Sequence, residues 1–409
     1  MILKTALKNI RKSIPLTLLT CLQMIAAMIV TAVMISSILL RYRYYAPLKK
    51  YYTSNGIYGM FIPYAIKDIE HGMNVYNWLD DDKLRAELDN PIDIVGVGKT
   101  YCELANGDPM ESFAYTDNLI RCFQPDLSEG RWLSPADRVK TPECVISQNP
   151  YGWKVGDDIE LEFFHHMGPV SYRFHVVGML KDDVKIPGGM ENNNNDINFM
   201  QFYRTFSYEI EEHPMVLMNL DTLKQLHDGP DILRAMTAGF IITYPDDVSQ
   251  EQLRAECRKL ASFCSPVSVQ LSEIQPNNLR YLYRQVYDQL PIIIVLLVLT
   301  IVSCISSSAI TTRSRLRDYA VFYVCGLRWK QCILINFMQS LLCGGISFLV
   351  SLLTLQLFQE SDLLSKFKVV WSQFTVGGIA VIFAVYVLAS LLMPLIIIGH
   401  NTPKEILSS

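Results

Sequence analysis

Four long uncharged apolar segments dominate the pattern of hydrophobic and polar positions along the 409-residue chain. They cover residues 16–40, 290–312, 332–358 and 374–399, and none of them contains Asp, Glu, Lys, Arg or His. Each is longer than the roughly 20 residues that a helix needs to cross about 30 Å of hydrocarbon. The pattern therefore predicts an integral membrane protein with four transmembrane helices, one before and three after a long polar region.

The polar region, residues 50–288, is long enough for one large or two small domains. Two β-α-β units, at about 55–101 and 237–275, flank a mostly β insertion at about 102–236 that is rich in turn residues and short alternating strands. We therefore predict an α+β domain. The segments behind this prediction are strands at 57–62, 92–98, 158–164, 171–180, 238–244 and 267–274, and helices at 78–88 and 250–263.

Two further segments beside the spans have helical periodicity. Residues 1–15 have an apolar face opposite the lysines, formed by Leu3, Ala6, Leu7 and Ile10. This face predicts either an amphipathic helix on the membrane surface or a basic helical start of the first span. The span itself is too long for a signal peptide and lacks a small-residue cleavage pattern, which favours an uncleaved anchor. Residues 277–291 lead directly into the second span, either as a stalk that carries motion or as a plain connecting helix.

The charge distribution predicts an orientation. Residues 51–312 hold 20 basic and 36 acidic residues, a balance of −16, and the rest of the chain holds 16 basic and 4 acidic residues, a balance of +12. Short basic segments beside spans stay cytoplasmic. Because 1–15 and 313–331 are such segments, we predict a protein of the cell (inner or plasma) membrane with both termini cytoplasmic and the large domain extracytoplasmic. The opposite orientation is favoured by four basic residues just outside the first span, namely Arg41, Arg43, Lys49 and Lys50.

Two patterns resemble catalytic or metal-binding motifs without completing them. GVGKT at 96–100 matches the end of a phosphate-binding loop, but Asp93 stands where the loop needs its first glycine. His165 and His166 are adjacent, and in a strand adjacent side chains point to opposite faces. With Glu160, Glu162 and His175 nearby they leave a surface zinc site open, although solvated strand-end histidines explain them more simply. We predict no catalytic, cofactor or metal site in this chain.

The cysteine count bears on disulfide formation, and the composition of the spans bears on the class of transporter. Five of the ten cysteines lie in the outer region, so a disulfide framework there is incomplete in a monomer. The spans contain no ionisable residue of the kind that serves as a relay in ion-coupled transporters. This absence counts against a secondary transporter or a proton-driven pump. Gly344, Gly345, Gly377 and Gly378 permit close helix packing.

The loop RSRLRDYAVFYVCGLRWKQCILINF, residues 313–337, resembles the cytoplasmic coupling segment of FtsX-like ABC transporter permeases, including the MacB type. Basic residues precede an acidic residue, apolar positions and a glycine turn, although Asp318 replaces the usual Glu and Cys-Gly-Leu replaces an Ile-Gly-Ala type turn. EGRWLSPADR at 129–138, CVISQNPYGWKVGDDIEL at 144–161 and FHVVGML at 174–180 are similar to the extracytoplasmic core domain of that family. The tail HNTPKEIL at 400–407 is similar to its closing motif.

The resemblance implies a MacB-like core domain at 50–288 and an FtsX-like permease domain at 283–409. It implies two permease subunits, alike or different, and two cytoplasmic ATPase subunits that bind ATP and Mg²⁺ and dock on the coupling segment. The chain itself would be a non-catalytic subunit in contact with membrane lipids and not with nucleic acid. The residues expected to meet the ATPase are Arg313, Arg315, Arg317, Asp318, Tyr319, Val321, Phe322 and Gly326. The arginines alternatively only set topology at anionic lipid.

Three functions remain open from the sequence. The first is a permease subunit that moves its outer domain with ATP hydrolysis to export or extract an amphiphile, such as an antimicrobial peptide, a lipid or a lipoprotein. The second is a non-transporting regulator that activates a cell-wall hydrolase. The third is a membrane sensor or scaffold without an ATPase.

Overall fold

The fold is taken from a computed structural model. It describes residues 2–12, 14–61, 88–89, 91–135, 141–165, 168–188, 197–206, 214–226, 237–263, 267–360 and 369–400. The chain divides into two compact units. The outer unit comprises residues 44–281, and the spanning unit comprises residues 1–43 and 282–409. The predicted helix at 78–88 lies almost entirely outside the described residues.

The outer unit contains most of the strands. Its helices are α3 (Lys49–Tyr52), α4 (Asp117–Cys122), α5 (Leu220–Gln225) and α6 (Gln250–Phe263). Its strands are β1 (Gly56–Phe61), β2 (Asp93–Glu103), β3 (Pro109–Tyr115), β4 (Leu127–Gly130), β5 (Glu143–Ile146), β6 (Asp158–His165), β7 (Gly168–Leu180), β8 (Val184–Pro187), β9 (Tyr203–Phe206), β10 (Met215–Asn219), β11 (Thr237–Thr243) and β12 (Val267–Gln270). A short 3₁₀ turn, Phe199–Phe202, precedes β9.

Ten of these strands form one mixed sheet in the order β12-β1-β11-β2-β3-β10-β5-β7-β4, with β6 paired to β2 and β7. The first and last strands of the unit interleave, because β1 lies between β11 and β12 and is antiparallel to both. The two predicted β-α-β regions therefore form one continuous half of the sheet. β10 is buried at every residue because it lies inside the sheet between β3 and β5.

A capping box formed by Ser249 and Gln252, a sequence pattern that favours a helix start, begins α6. The Ser249 amide donates to Gln252 Oε1 at 2.8 Å, and the Gln252 amide donates to Ser249 Oγ at 3.3 Å. These two bonds satisfy backbone donors that the first turn of a helix leaves unpaired. The predicted strand at 267–274 is too long, since β12 ends at Gln270 and a helix begins at Leu271.

The spanning unit consists of helices α1 (Ile2–Lys12), α2 (Ile14–Tyr45), α7 (Leu271–Ser314), α8 (Leu316–Val324), α9 (Trp329–Glu360) and α10 (Gln373–His400), of which α2 and α7 extend into the outer unit. Among the described residues, four helices are long and apolar enough to cross a membrane, namely α2, α7, α9 and α10. α7 includes both the predicted stalk and the second predicted span. Ala6 of α1 is buried, whereas Leu7 on the predicted apolar face is exposed.

The four long helices bury a common core and expose apolar side chains outward. Leu18, Val298, Leu353 and Leu388 are each more than half exposed, as residues that face lipid would be. One glycine of each predicted pair lies at a close helix contact. A Cβ on Gly344 would lie 2.7 Å from the Phe383 ring, and a Cβ on Gly378 would clash with the Ile35 side chain. Gly345 and Gly377 have open space instead.

An aromatic junction in the outer unit holds the ends of two long helices. Tyr203 donates a hydrogen bond from its hydroxyl to the Tyr44 carbonyl at 2.8 Å. Phe199 contacts Tyr45 and Tyr281 edge to face at 5.2 and 5.5 Å between ring centroids, and its amide donates to Asn278 Oδ1 at 2.6 Å. Residues 197–203 therefore link the last turn of α2 to the first turns of α7.

Glu256 is a buried carboxylate in the outer unit, with 4 % of its surface exposed. Its Oε2 accepts from the Asp89 amide at 3.3 Å and from the Tyr244 hydroxyl at 3.4 Å, and Lys259 Nζ lies 3.7 Å from its Oε1. Burial raises the pKa of Glu256 above its ordinary value despite the nearby lysine. The folded protein thus binds this proton more tightly than the unfolded chain does.

We predict that Glu256→Gln weakens the pH dependence of stability. A raised carboxyl pKa gives stability that is fully present below the unfolded pKa and is lost as the pH rises through the folded pKa. The variant should unfold at a temperature equal to or above that of the wild type at pH 8, and this advantage should shrink toward pH 5. Thermal unfolding of the purified full-length protein at both pH values measures it. The exposed Glu129→Gln is the control, and equal pH slopes for wild type and Glu256→Gln would contradict the prediction.

Candidate coupling segment

The segment between α7 and α9 folds as a separate nine-residue helix, α8. The backbone at Arg315 leaves the helical region, at φ −120° and ψ 6°, and so separates α8 from α7. At the other end Gly326 has a φ of +95°, which glycine adopts without strain. The Gly326 amide donates to the Tyr323 carbonyl and the Leu327 amide donates to the Phe322 carbonyl, both at 3.0 Å. These two bonds form a Schellman motif, so the glycine break predicted at this position terminates the helix.

The next helix begins with its own cap. The Arg328 amide donates to Gln331 Oε1 at 2.7 Å, and the Gln331 amide donates to the Arg328 carbonyl at 2.8 Å. Only two residues, Leu327 and Arg328, connect the turn at Gly326 to the start of α9. The position of α8 is therefore closely tied to that of α9.

One face of α8 is anchored in the core of the spanning unit. Tyr319 is 1 % exposed, and its hydroxyl donates to Asn336 Oδ1 on α9 at 3.1 Å. The ring packs with Cys332 and Ile398, and Phe322 packs against the same group while half-buried. Burial raises the pKa of Tyr319 to about 12, so the hydroxyl keeps its proton at neutral pH.

This anchoring revises the set of residues expected to meet an ATPase. Tyr319 points into the core of its own chain, because its hydroxyl finds a partner in Asn336. Arg315 is only 6 % exposed, and burial lowers the pKa of its guanidinium. Neither side chain offers a surface to a partner in this conformation. Arg313, Arg317, Asp318, Val321 and Gly326 are exposed, as a docking role requires.

The exposed side of α8 includes Val324, which the sequence reasoning missed, beside the predicted Arg317 and Val321. Val324 is 70 % exposed and Val321 is 47 % exposed, and Arg317 lies on the same face. Their i, i+4, i+7 spacing is the signal that predicts one helical face. We call Arg317, Asp318, Val321, Val324 and Cys325 the coupling surface. It combines a charged edge with two aliphatic side chains, a composition suited to contact with another protein.

The described residues of the rejected and uncertain motifs of the outer unit lie on strands. GVGKT at 96–100 is part of β2, whose backbone pairs with β11 and β3, so it forms no phosphate-binding loop. His175 Nδ1 lies 2.8 Å from Asp158 Oδ1, Glu160 pairs with Arg173, and Ser171 donates to Glu162. His166 lies outside the described residues. Within the described part of the chain no three metal-ligating side chains group together, and nine cysteines are free.

Two solved structures resemble part of the chain. The extracellular domain of the noncanonic ABC-type transporter YknZ from Gram-positive bacteria shares 12 % identity at a TM-score of 0.28, over 50 % of this chain and 90 % of that one. A domain of a protein classed as a permease from Porphyromonas gingivalis shares 11 % identity at a TM-score of 0.25, over 52 % of this chain and 84 % of that one. No family model and no curated protein matches the chain. Similarity at this level assigns neither a family nor a function.

The anchor of α8 leads to a stability prediction. Tyr319→Phe removes the hydroxyl and leaves Asn336 Oδ1 buried without its donor, which costs about 1–3 kcal/mol. The variant should unfold several degrees below the wild type in a thermal scan of the purified full-length protein. Tyr287→Phe, at a tyrosine that is 72 % exposed on α7, is the matched control and should change little. Equal unfolding temperatures for the two variants would show that the bond does not hold α8.

Proposed function

We propose that this chain is the permease subunit of an ABC transporter and that a separate cytoplasmic ATPase drives it through α8. The observation that carries the proposal is the anchored coupling segment. A short helix lies between two membrane-length helices, is capped at its far end and presents a charged and aliphatic face outward. The family resemblance of residues 313–337 supports the same role.

The proposed orientation places α8 in the cytoplasm and the outer unit outside the cell. It rests on the charge of the short segments, since 1–15 and 313–331 are basic and the region between the first two spans is acidic. ATP is available only on the cytoplasmic side, so this orientation is also the one in which an ATPase can reach α8.

The proposed docking surface consists of the coupling surface together with Arg313. The two arginines would meet acidic residues of the ATPase, and Val321 and Val324 would fill an apolar depression. Because Tyr319 and the Schellman turn fix α8 against α9, a force on α8 would move α9 and the end of α7 rather than bend the helix alone. Interfaces typically depend on a few such central side chains.

Movement would reach the outer unit through α7 and the aromatic junction. α7 is one helix from Leu271 to Ser314, and its first turns are held by Asn278 and Tyr281 to the 197–203 segment. The same segment contacts Tyr44 and Tyr45 at the end of α2. The moving outer unit would then act on an amphiphile such as a peptide, a lipid or a lipoprotein. A second permease subunit would complete the assembly, and ATP and Mg²⁺ would bind only to the ATPase.

We predict that Val321→Asp lowers the amount of ATPase that copurifies with the chain by on the order of tenfold or more. A carboxylate buried in an apolar contact without a partner loses several kcal/mol. Affinity purification of the full-length protein from its native cells, with mass spectrometry of the bound proteins, measures the ratio.

The matched control is Ile92→Asp, the same change at an exposed aliphatic residue of the outer unit. It should retain the ATPase. An unchanged ratio for Val321→Asp would remove the assigned docking surface. Absence of any ATPase from the wild-type preparation would favour the sensor or scaffold function, and a hydrolase bound to the outer unit would favour the regulator.

The orientation has a test of its own. Cys325 is exposed in the turn after α8, so a membrane-impermeant maleimide should label it in inside-out vesicles and not in right-side-out vesicles. Peptide mass spectrometry identifies the labelled thiol, and Cys325→Ser is the control. Labelling of Cys325 from the outer side would reverse the proposed orientation.

A further inference from the structure

The spanning unit contains a small cavity of about 30 Å³ whose lining residues are all serine, threonine, cysteine, tyrosine, asparagine or glutamine. All four membrane-length helices contribute, with Thr20 from α2, Ser308 from α7, Gln339 from α9 and Tyr386 from α10. No charged residue lines it. A polar lining inside an apolar bundle needs hydrogen-bond partners, because lipid supplies none.

The cavity lies at the end of the bundle that is nearest to α8. Thr311 precedes the coupling segment by a few residues on α7, and Asn336 follows it on α9. Asn336 both lines the cavity and accepts the hydrogen bond from Tyr319. One side chain therefore connects the cavity wall to the anchor of α8.

Some polar side chains of the lining are hydrogen-bonded within the protein, and others are not. Ser308 Oγ donates to the Ser390 carbonyl at 2.6 Å, and Thr20 Oγ1 donates to the Thr17 carbonyl at 3.0 Å. Gln339 Oε1 is buried and accepts no hydrogen bond from the described residues. Tyr386 is 7 % exposed and also lines the cavity. A buried polar atom without a partner costs about 1–3 kcal/mol.

The lining determines which ligand fits. An ion would lose its hydration without meeting a countercharge, and an acyl chain would leave the polar atoms unpaired. The volume is roughly twice the 10–15 Å³ that one buried water requires, so about two non-hydrogen atoms fit. The group must be able both to donate and to accept a hydrogen bond, because the lining offers hydroxyl and amide groups. A hydroxymethyl group, –CH₂OH, meets each of these conditions.

We propose that this cavity is a binding site for an uncharged hydroxymethyl group, supplied by a neutral glycerolipid or by a small polyol. Through Asn336 and Tyr319, occupancy would stabilise the packing of α8 against α9. The site does not depend on the proposed transport function, because binding can be measured on the permease chain without an ATPase.

Cys304 and Cys343 line the cavity and are nearly buried. The reaction rates of their thiols therefore indicate whether the cavity is occupied. The full-length protein in lipid nanodiscs is treated with methyl methanethiosulfonate in three conditions: with no probe, with glycerol and with dioleoylglycerol. Peptide mass spectrometry follows the reaction of each thiol. We expect Cys304 and Cys343 to react several-fold more slowly with a bound probe, whereas Cys332, which is buried outside the cavity, should be unaffected.

Protection by dioleoylglycerol alone identifies a lipid as the source, and protection by glycerol identifies a soluble polyol. Gln339→Leu replaces a polar side chain of the lining by an apolar one and should weaken binding of the protecting probe by about tenfold. Gln23→Leu is the matched control, because Gln23 Oε1 is also buried without a partner but does not line the cavity. Tyr386→Phe removes a single oxygen atom and replaces Gln339→Leu in this test if that variant fails to fold.

Two results would overturn the proposal. If neither probe slows the two thiols, the cavity holds only water. If Gln339→Leu and Tyr386→Phe retain the protection seen in the wild type, the probe binds elsewhere. Neither result bears on ATPase copurification, so the docking proposal would stand or fall separately.

Discussion

The hydrogen bond from Tyr319 to Asn336 connects the coupling surface of α8 to the polar cavity of the spanning unit. On α8 the bond fixes the rotation of the helix about its axis, so that Arg317, Val321 and Val324 are exposed. On α9 it holds Asn336 in the wall of the polar cavity. Because this bond is buried, breaking it would leave an unpaired acceptor in a low-dielectric environment. A nine-residue helix is too short to be stable alone, so tertiary contacts of this kind determine its position.

In the outer unit, the first and last strands of the sheet lie side by side. The chain enters the sheet at β1 and leaves it at β12, and these two strands are neighbours. α7 begins at the residue after β12, so both long helices connect to one edge region of the sheet. The aromatic junction then ties the two helices to the 197–203 segment, within the long insertion between β1 and β12. The two connections therefore lie close together although a long insertion separates them in the sequence.

The sequence predicts those elements whose signals are local. The four spans follow from charge-free runs, and α6 follows from the pair Ser249 and Gln252. The end of β12 was missed because apolar residues alternate through Val267, Val269 and Leu271, so the strand pattern continues past Gln270 into the first residue of the helix. The orientation of Tyr319 was missed for a different reason. α8 has apolar residues on several sides, and its buried face is selected by Asn336, a residue 17 positions away.

The absence of charge in the spans, which made them recognisable, also limits how the bundle can respond to its surroundings. Hydroxyl and amide groups such as those of Gln339 and Tyr386 can be satisfied or left unpaired by small shifts of the helices that carry them. α8 is attached to α7 on one side and to α9 on the other, and both of these helices line the cavity. A displacement of α8 would therefore change the cavity, and an occupied cavity would resist that displacement by the same free energy. Coupling of this kind requires no titratable group within the membrane.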